Sequence, residues 1–409
     1  MLKLPFNFGR TKKPAKFIAI DISSNYIRCA ALELIDSAIS LNPSVRVISV
    51  AETLIDFGAV RSGNIVNMES VNIALESLIS QIDLECEEKI RDVIFGIKGD
   101  LSLGLMTTVK VIRDLEVEIS KKEFDDIYRR TLDAAGDQAN DEALQITSTS
   151  DVDLEMVTTS VIYVRLDDHL VTDIVGKQGR KVELALFTAF TPVYHVRALQ
   201  KLSKDLGLNI LALASDMYAL VKSLKVSKYQ ENDFVIMSVG SDMTDVAVVF
   251  GGGVVSTRSL YLGRSHFVLE LCSRLGLNYT EAESKLKQYA LESLSEEESL
   301  NIHDHLTEIS GLWLSGIELL FGEFTGVKTF ASKIFLTGEG SAIPDLLFVL
   351  RKEPWTKSIP FKSPPDVARI SKNDLNFISD PGGKFDSINH ISLAVLAVIY
   401  LEANDLINA

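Results

Sequence analysis

The sequence predicts an α/β protein with two domains of similar construction, each built around a mixed sheet. Strands and amphipathic helices alternate along the chain, which is the pattern of sheets covered by helices. A β-hairpin with a short polar turn occurs twice, at 16–34 and at 233–262, and a later buried strand ends in the glycines of "LTGEG". A length of 409 residues suits about two or three packed units.

Composition and charge narrow the function classes. The chain is 46% hydrophobic and 24% charged, as expected of a folded globular protein, and its net charge of -15 would repel a phosphate backbone. A nucleic-acid partner is therefore not expected. Three widely separated cysteines, Cys29, Cys86 and Cys272, predict neither a disulfide framework nor a zinc site. The apolar run at 391–401 is shorter than the roughly 20 residues of a membrane span, so we expect a cytoplasmic protein.

The N-terminal segment, residues 1–16, reverses the acidic character of the chain. It has no acid, and its cations are Lys3, Arg10, Lys12, Lys13 and Lys16. Its apolar residues are Leu2, Leu4, Phe6 and Phe8. Pro5 and Gly9 disfavour a helix here. Two interpretations stay open: a flexible tail without a role, or a tether to an anionic membrane or a partner.

The elements of the first domain follow in order. "KFIAIDISS" and "YIRCAALEL" form the first hairpin, "VRVISVAETL" is a third strand, "ESVNIALESLISQIDLE" has helical apolar spacing, and "RDVIFGIKG" is a strand. Residues 100–181 then break the alternation, with strands on both sides of a helix that Ser120 caps, and we interpret them as an insert.

The second domain repeats the theme with its hairpin, the helix "SHFVLELCSRLG" and the strand "KIFL". The predicted division is a tail at 1–16, a first domain at 17–99 and 182–232 interrupted by an insert at 100–181, a second domain at 233–384, and a C-terminal helix at 385–409. This helix contains "ISLAVLAVIYL", which is apolar on every side and is therefore expected to be buried against the first domain.

These motifs carry a family resemblance. The two hairpin turns and "LTGEGSAIPDL" resemble the two phosphate loops and the adenosine loop of the superfamily of actin, Hsp70 and the sugar kinases. Within it, "GAVRSGNIVNMESVNIAL", "TDIVGKQGRKVELALFTAF" and "NYTEAESKLK" resemble FtsA, the bacterial cell-division actin homologue. The resemblance spans about residues 17–405. "DISS" at 21–24 resembles PilM instead, the cytoplasmic actin-like component of type IV pilus systems. Both families stay open.

The resemblance implies an ATP site with degenerate phosphate loops. In the first loop Asp21 stands at the metal-side carboxylate and would hold Mg²⁺. Ser23, Ser24 and Asn25 follow it and would contact phosphate. The second loop offers Gly240, Ser241, Asp242 and Thr244. Ser238 stands where the family carries an acid, and Asp242 would face the phosphates and repel them. Weak ATP binding without efficient hydrolysis is therefore expected, and a true ATPase is the remaining alternative.

For the nucleoside, the resemblance assigns the turn Gly338, Glu339 and Gly340 to adenine. It assigns Glu283 to the ribose hydroxyls, with Lys287 one turn further along the same helix. The alternative for these two residues is an ordinary ion pair on a solvated helix face.

The function implied by FtsA is a cell-division scaffold that forms filaments of its own chain, contacts an FtsZ-like or other division protein, and links the filament to the cytoplasmic face of the inner membrane through residues 1–16. The alternative implied by PilM is a pilus-assembly adaptor that binds a peptide of an inner-membrane pilus protein.

Overall fold

The computed structural model describes residues 15–35, 44–114, 117–147, 152–229, 231–324, 326–352 and 355–404. Most of the N-terminal segment, with its predicted membrane tether, lies outside the described residues. The strands are β1 Lys16–Ile22, β2 Tyr26–Ile35, β3 Ser44–Leu54, β4 Val60–Arg61, β5 Asn64–Ile65, β6 Asp92–Ile97, β7 Leu103–Ile112, β8 Leu154–Leu166, β9 His169–Val171, β10 Lys181–Pro192, β11 Asn209–Ser215, β12 Phe234–Val239, β13 Thr244–Phe250, β14 Gly253–Leu260, β15 Lys333–Thr337, β16 Asp366–Arg369 and β17 Ile378–Ser379. The helices are α1 Met68–Cys86, α2 Lys121–Thr147, α3 Val193–Asp205, α4 Asp216–Lys225, α5 Arg264–Leu275, α6 Tyr279–Ala290, α7 Glu296–Gly322, α8 Pro344–Arg351 and α9 Ile391–Ala403.

Two mixed sheets share one strand order. The first sheet runs β11-β6-β1-β2-β3-β17, and the second begins β16-β15-β12-β13-β14. In each, the first three strands are parallel neighbours and the next two pairings are the antiparallel hairpins. The repeat confirms the predicted pair of similar α/β domains.

The insert leaves the first sheet after β6 and returns at α3. Its strands β7, β10, β8 and β9 extend the second sheet to nine strands, because β7 pairs with β14. The strand β10 pairs with β7 and β8 along its length, so by its pairing it belongs to the insert, although the predicted boundary at 181 would assign it to the first domain. The insert, which interrupts the first domain in sequence, therefore pairs with the sheet of the second domain.

Two buried helices lie between the sheets. Phe17 and Ala19 of β1 pack into the core that holds α4 and α9, whereas Ile18 and Ile20 face the opposite core with α1 and α3. This alternation follows from the period of two along a strand. The apolar C-terminal run forms α9 and is buried as predicted. Among the described residues, no helix combines the length and apolarity needed to span a membrane.

Capping residues define where two helices beside the cleft begin. Asn278 caps α6 by accepting from the Glu281 amide, and the Glu281 side chain accepts in return from the Asn278 amide. Ser215 likewise caps α4, so Asp216 begins that helix at the end of β11. Both caps place polar side chains at the edge where the two domains meet.

Candidate functional site at the cleft between the domains

The turns of the two hairpins meet across the cleft. The Ser24 hydroxyl donates to the Asp242 carboxylate, and the Asn25 amide donates to the Ser241 hydroxyl at 2.8 Å and to the Tyr279 hydroxyl at 3.1 Å. The backbone N–H of Ser62 also donates to Asp242, at 3.2 Å. Four residues predicted for phosphate contact are therefore brought together, and they bond to one another.

The second turn is also bound to the start of α5. The Gly240 N–H donates to the Met243 carbonyl at 2.8 Å, which closes the turn. The amides of Arg264 and Ser265 donate to the carbonyls of Gly240 and Ser241 at 2.9 and 2.8 Å. These first amides of the helix would be anion donors if they were free. Here they hold the turn instead.

Asp21 is buried among cations. Its carboxylate lies 2.7 Å from the Lys98 ammonium and 3.8 Å from the Arg28 guanidinium, and it accepts from the Ser392 hydroxyl at 2.6 Å. Burial alone would raise the pKa of Asp21, but Lys98 and Arg28 hold that pKa below its usual range. Ser23 donates to the Tyr26 carbonyl at 2.9 Å within its own turn.

These surroundings do not fit the predicted magnesium ion. Mg²⁺ is bound through carboxylates and water, and two fixed cations beside Asp21 repel it. Among the described residues, no group of three or more His, Cys, Asp or Glu side chains could hold a metal.

The loop predicted for adenine is held by an ion pair that crosses the cleft. The Arg28 guanidinium of β2 lies 3.1 Å from Glu339 and 3.2 Å from Glu52, and its side chain is only 3% exposed. Burial would lower the pKa of Arg28, but Glu339 and Asp21 raise it. The first domain therefore binds the carboxylate of the loop directly.

Two glycines let this loop approach β12. Gly338 has φ +84°, and a Cβ there would lie 2.4 Å from the Val239 carbonyl oxygen. A Cβ on Gly340 would lie 2.4 Å from Cγ1 of Val239. Only glycine combines this backbone angle with such close contact. The predicted strand-to-helix turn therefore depends on its glycines.

Three other residues predicted for nucleotide contact, Glu283 and Lys287 near the ribose and Thr244 in the second phosphate loop, are either paired within the second domain or exposed. Glu283 accepts from Arg264 at 2.5 and 2.6 Å, so the ribose acid is already paired, and not with Lys287. Lys287 is exposed on α6. Thr244 donates to the Leu262 carbonyl at 2.8 Å and accepts from Trp313 at 2.9 Å, inside the second domain. It points away because it begins β13, where side chains alternate between faces.

Described residues of the cleft line an inner cavity and an outer pocket. The inner cavity, between Lys98, Asp216 and Gly338, has a volume of ≈ 70 Å³. The outer pocket, lined by Phe57, Tyr261 and other residues, has ≈ 300 Å³. Small-molecule sites usually span roughly 300–1,000 Å³. The inner cavity is thus too small for a nucleotide, whereas the outer pocket, which Ser24, Asn25 and Asp242 also line, reaches the lower end of that range.

Sequence reasoning missed Lys98, Arg28, Asp216, Ser62 and Arg264. A usable signal existed for two of them. Lys98 and Asp216 directly follow the neighbouring parallel strands β6 and β11, whose carboxyl ends share one edge with that of β1.

No family model and no curated protein matches the sequence. Solved structures do match. The PilM-PilN type IV pilus biogenesis complex aligns with a TM-score of 0.62 at 13% identity, covering 96% of this chain and 99% of that chain. The ethanolamine utilization protein EutJ from Carboxydothermus hydrogenoformans aligns with a TM-score of 0.51 at 10% identity, covering 95% and 91%. MreB5 of Spiroplasma citri bound to ADP reaches 0.44 at 11% identity, covering 97% and 98%. The chain has the actin-like fold, with two α/β domains, mixed sheets and an insert in the first domain.

Proposed function

We propose that this protein is an actin-fold scaffold whose two domains are held together by its own side chains, without a nucleotide. The observation that carries the proposal is the bond from Ser24 to Asp242, which directly joins the two predicted phosphate loops. Asn25 and Arg28 add further contacts from the first domain to the second. In nucleotide-dependent relatives of this fold, the ligand would have to provide that bridge.

Electrostatics supports the same conclusion. A bound triphosphate would face the carboxylates of Asp242 and Glu339, and like charges at contact distance repel by about 1 kcal/mol or more. The cations that could attract the phosphates, Lys98 and Arg28, already pair with carboxylates. Nucleotide binding would therefore have to break existing ion pairs.

Isothermal calorimetry of the wild-type protein with ATP and magnesium tests this proposal. We expect a Kd weaker than about 1 mM, equivalent to roughly 4 kcal/mol of binding free energy. We also expect no magnesium-dependent phosphate release above background, because position 238 has no acid. A micromolar Kd, or turnover that Asp21→Ala abolishes, would contradict the proposal and favour the ATPase alternative.

The second part of the proposal concerns the cellular assembly in which such a scaffold works. The solved neighbour that contains PilM and PilN matches this chain over nearly its whole length, which favours a pilus-type adaptor that binds a peptide of a membrane protein. The motif at 172–190 favours an FtsA-like division scaffold. Both would work at the cytoplasmic face of the inner membrane.

Assembly state separates these two roles. A division scaffold should form filaments on anionic lipid, visible by electron microscopy and by sedimentation with vesicles. A pilus adaptor should stay monomeric and bind a short peptide of its membrane partner. If lipid binding uses residues 1–16, deletion of residues 1–13 should abolish it, and added salt should weaken it because each cation contributes about 1 kcal/mol. Unchanged binding after the deletion would exclude this tether.

A further inference from the structure

Lys98 lies between two buried carboxylates at the floor of the cleft. Its ammonium is 2.7 Å from Oδ1 of Asp21 and 3.2 Å from Oδ2 of Asp216. The three residues come from adjacent parallel strands: Asp21 lies near the end of β1, Lys98 follows β6, and Asp216 follows β11. The fold itself therefore brings one cation and two acids to a single point.

Gly96 allows this close approach. A Cβ at position 96 would lie 2.1 Å from Oδ1 of Asp216, so any other residue would displace that carboxylate. Asp216 and Asp21 both belong to the buried part of the molecule. Buried carboxylates need a compensating cation, since isolated buried charges are strongly unfavourable.

Lys98 supplies one positive charge for the two carboxylates and leaves part of their hydrogen-bonding capacity unused. Oδ1 of Asp216 is buried and has no hydrogen-bond partner among the described residues. Two convergent carboxylates with spare oxygen atoms are the donor set that a hard divalent cation uses. The ammonium occupies the position where such an ion would bind both acids.

We propose that Lys98 is a tethered counter-ion that takes the place of a divalent metal between Asp21 and Asp216 and thereby excludes metal from the cleft. The inference rests on the proposed nucleotide-independent function. It explains why the cleft would take up no metal, as Asp242 explains why it would bind phosphate weakly. Mg²⁺ and the ammonium cannot share these oxygens, because cations at contact distance repel. Lys98 is thus the cation that contacts both acids, whereas Arg28 lies 3.8 Å from Asp21 and is also paired with Glu52 and Glu339.

Mn²⁺ binding measured by electron paramagnetic resonance, with no nucleotide present, tests the inference. Wild-type protein and Asp216→Asn should take up Mn²⁺ equally, because no ion binds between the acids. Lys98→Met should bind Mn²⁺ at least about tenfold more tightly than wild type, equivalent to about 1.4 kcal/mol. Adding Asp216→Asn to that variant should remove the gain. Lys98→Arg, which keeps the positive charge, is the matched control and should gain no site.

Uptake by the wild type that Asp216→Asn reduces would overturn the inference, and so would a folded Lys98→Met that gains no site. If Lys98→Met does not fold, the comparison of wild type with Asp216→Asn still decides: equal uptake supports the inference and unequal uptake overturns it. These titrations contain no nucleotide, so their outcome is independent of the ATP calorimetry that tests the proposed function.

Discussion

Asp242 accepts a hydrogen bond from Ser24, although the two residues are 218 positions apart in the sequence. Each lies in the turn of a hairpin, and the hairpins belong to different domains. The carboxylate also accepts from the backbone N–H of Ser62, so a single acid binds two donors of the first domain. Asp242 thus connects the domains at the junction of the two predicted phosphate loops.

Replacing Asp242 by glycine should open this connection. We expect a loss of about 1.5–3 kcal/mol in the free energy of unfolding, the usual contribution of a hydrogen bond to a charged group. ATP binding should tighten by roughly fivefold or more, because a repulsion of ~1 kcal/mol or more is removed. Urea denaturation and calorimetry measure the two effects.

Asp242→Asn is the matched control, because it keeps an acceptor oxygen for Ser24 but removes the charge. It should lose less stability than Asp242→Gly while still binding ATP more tightly than wild type. If both variants bind ATP no better than wild type, charge repulsion at Asp242 is not what weakens binding.

The sequence was sufficient for the fold and for part of the site. Hairpin turns, glycine loops and buried strands are local patterns, so the loops containing Ser24, Asp242 and Gly338 could be located in advance. The partners of Asp21 could not, because ion pairs between neighbouring strands depend on sheet order. The direction of Thr244 likewise depends on where β13 begins. Local sequence patterns therefore located the loops but not the side-chain pairs that form between them.

The buried guanidinium of Arg28 should matter more for stability than an exposed one. Arg28→Met removes the cation that pairs with the buried Glu339 and leaves Asp21 with Lys98 alone. Breaking a buried ion pair usually costs about 3–5 kcal/mol. Arg129→Met is the matched control, since the Arg129–Asp126 pair is exposed, with side chains 69% and 45% accessible. Its loss should cost at most about 1 kcal/mol. Similar urea midpoints for the two variants would contradict the role given to Arg28.

The contact between the insert and the second domain should be sensitive to a single methyl group. A Cβ on Gly104 of β7 would lie 2.8 Å from Oγ1 of Thr257 and 3.0 Å from the Phe187 ring. Gly104→Ala should therefore destabilise the protein by about 1–3 kcal/mol. Gly136→Ala, in the insert helix with no atom within 4 Å of its Cβ, should instead stabilise it by about 0.5–1 kcal/mol. Thermal unfolding that ranks the two variants in the opposite order would refute the close packing at this junction.

His195 should make stability depend on pH in the acid range. It is buried in α3, and burial lowers its pKa from 6.5 to about 4. The folded state therefore favours the neutral imidazole. This contribution is fully present above the unfolded value of about 6.5 and is lost as the pH falls through about 4. A shift of this size corresponds to about 3 kcal/mol. His195→Gln cannot titrate, so the stability difference between wild type and this variant should shrink by about that amount between pH 7 and pH 4. Urea denaturation of both proteins across this range measures the difference, and parallel pH profiles would show that His195 does not remain neutral in the folded protein.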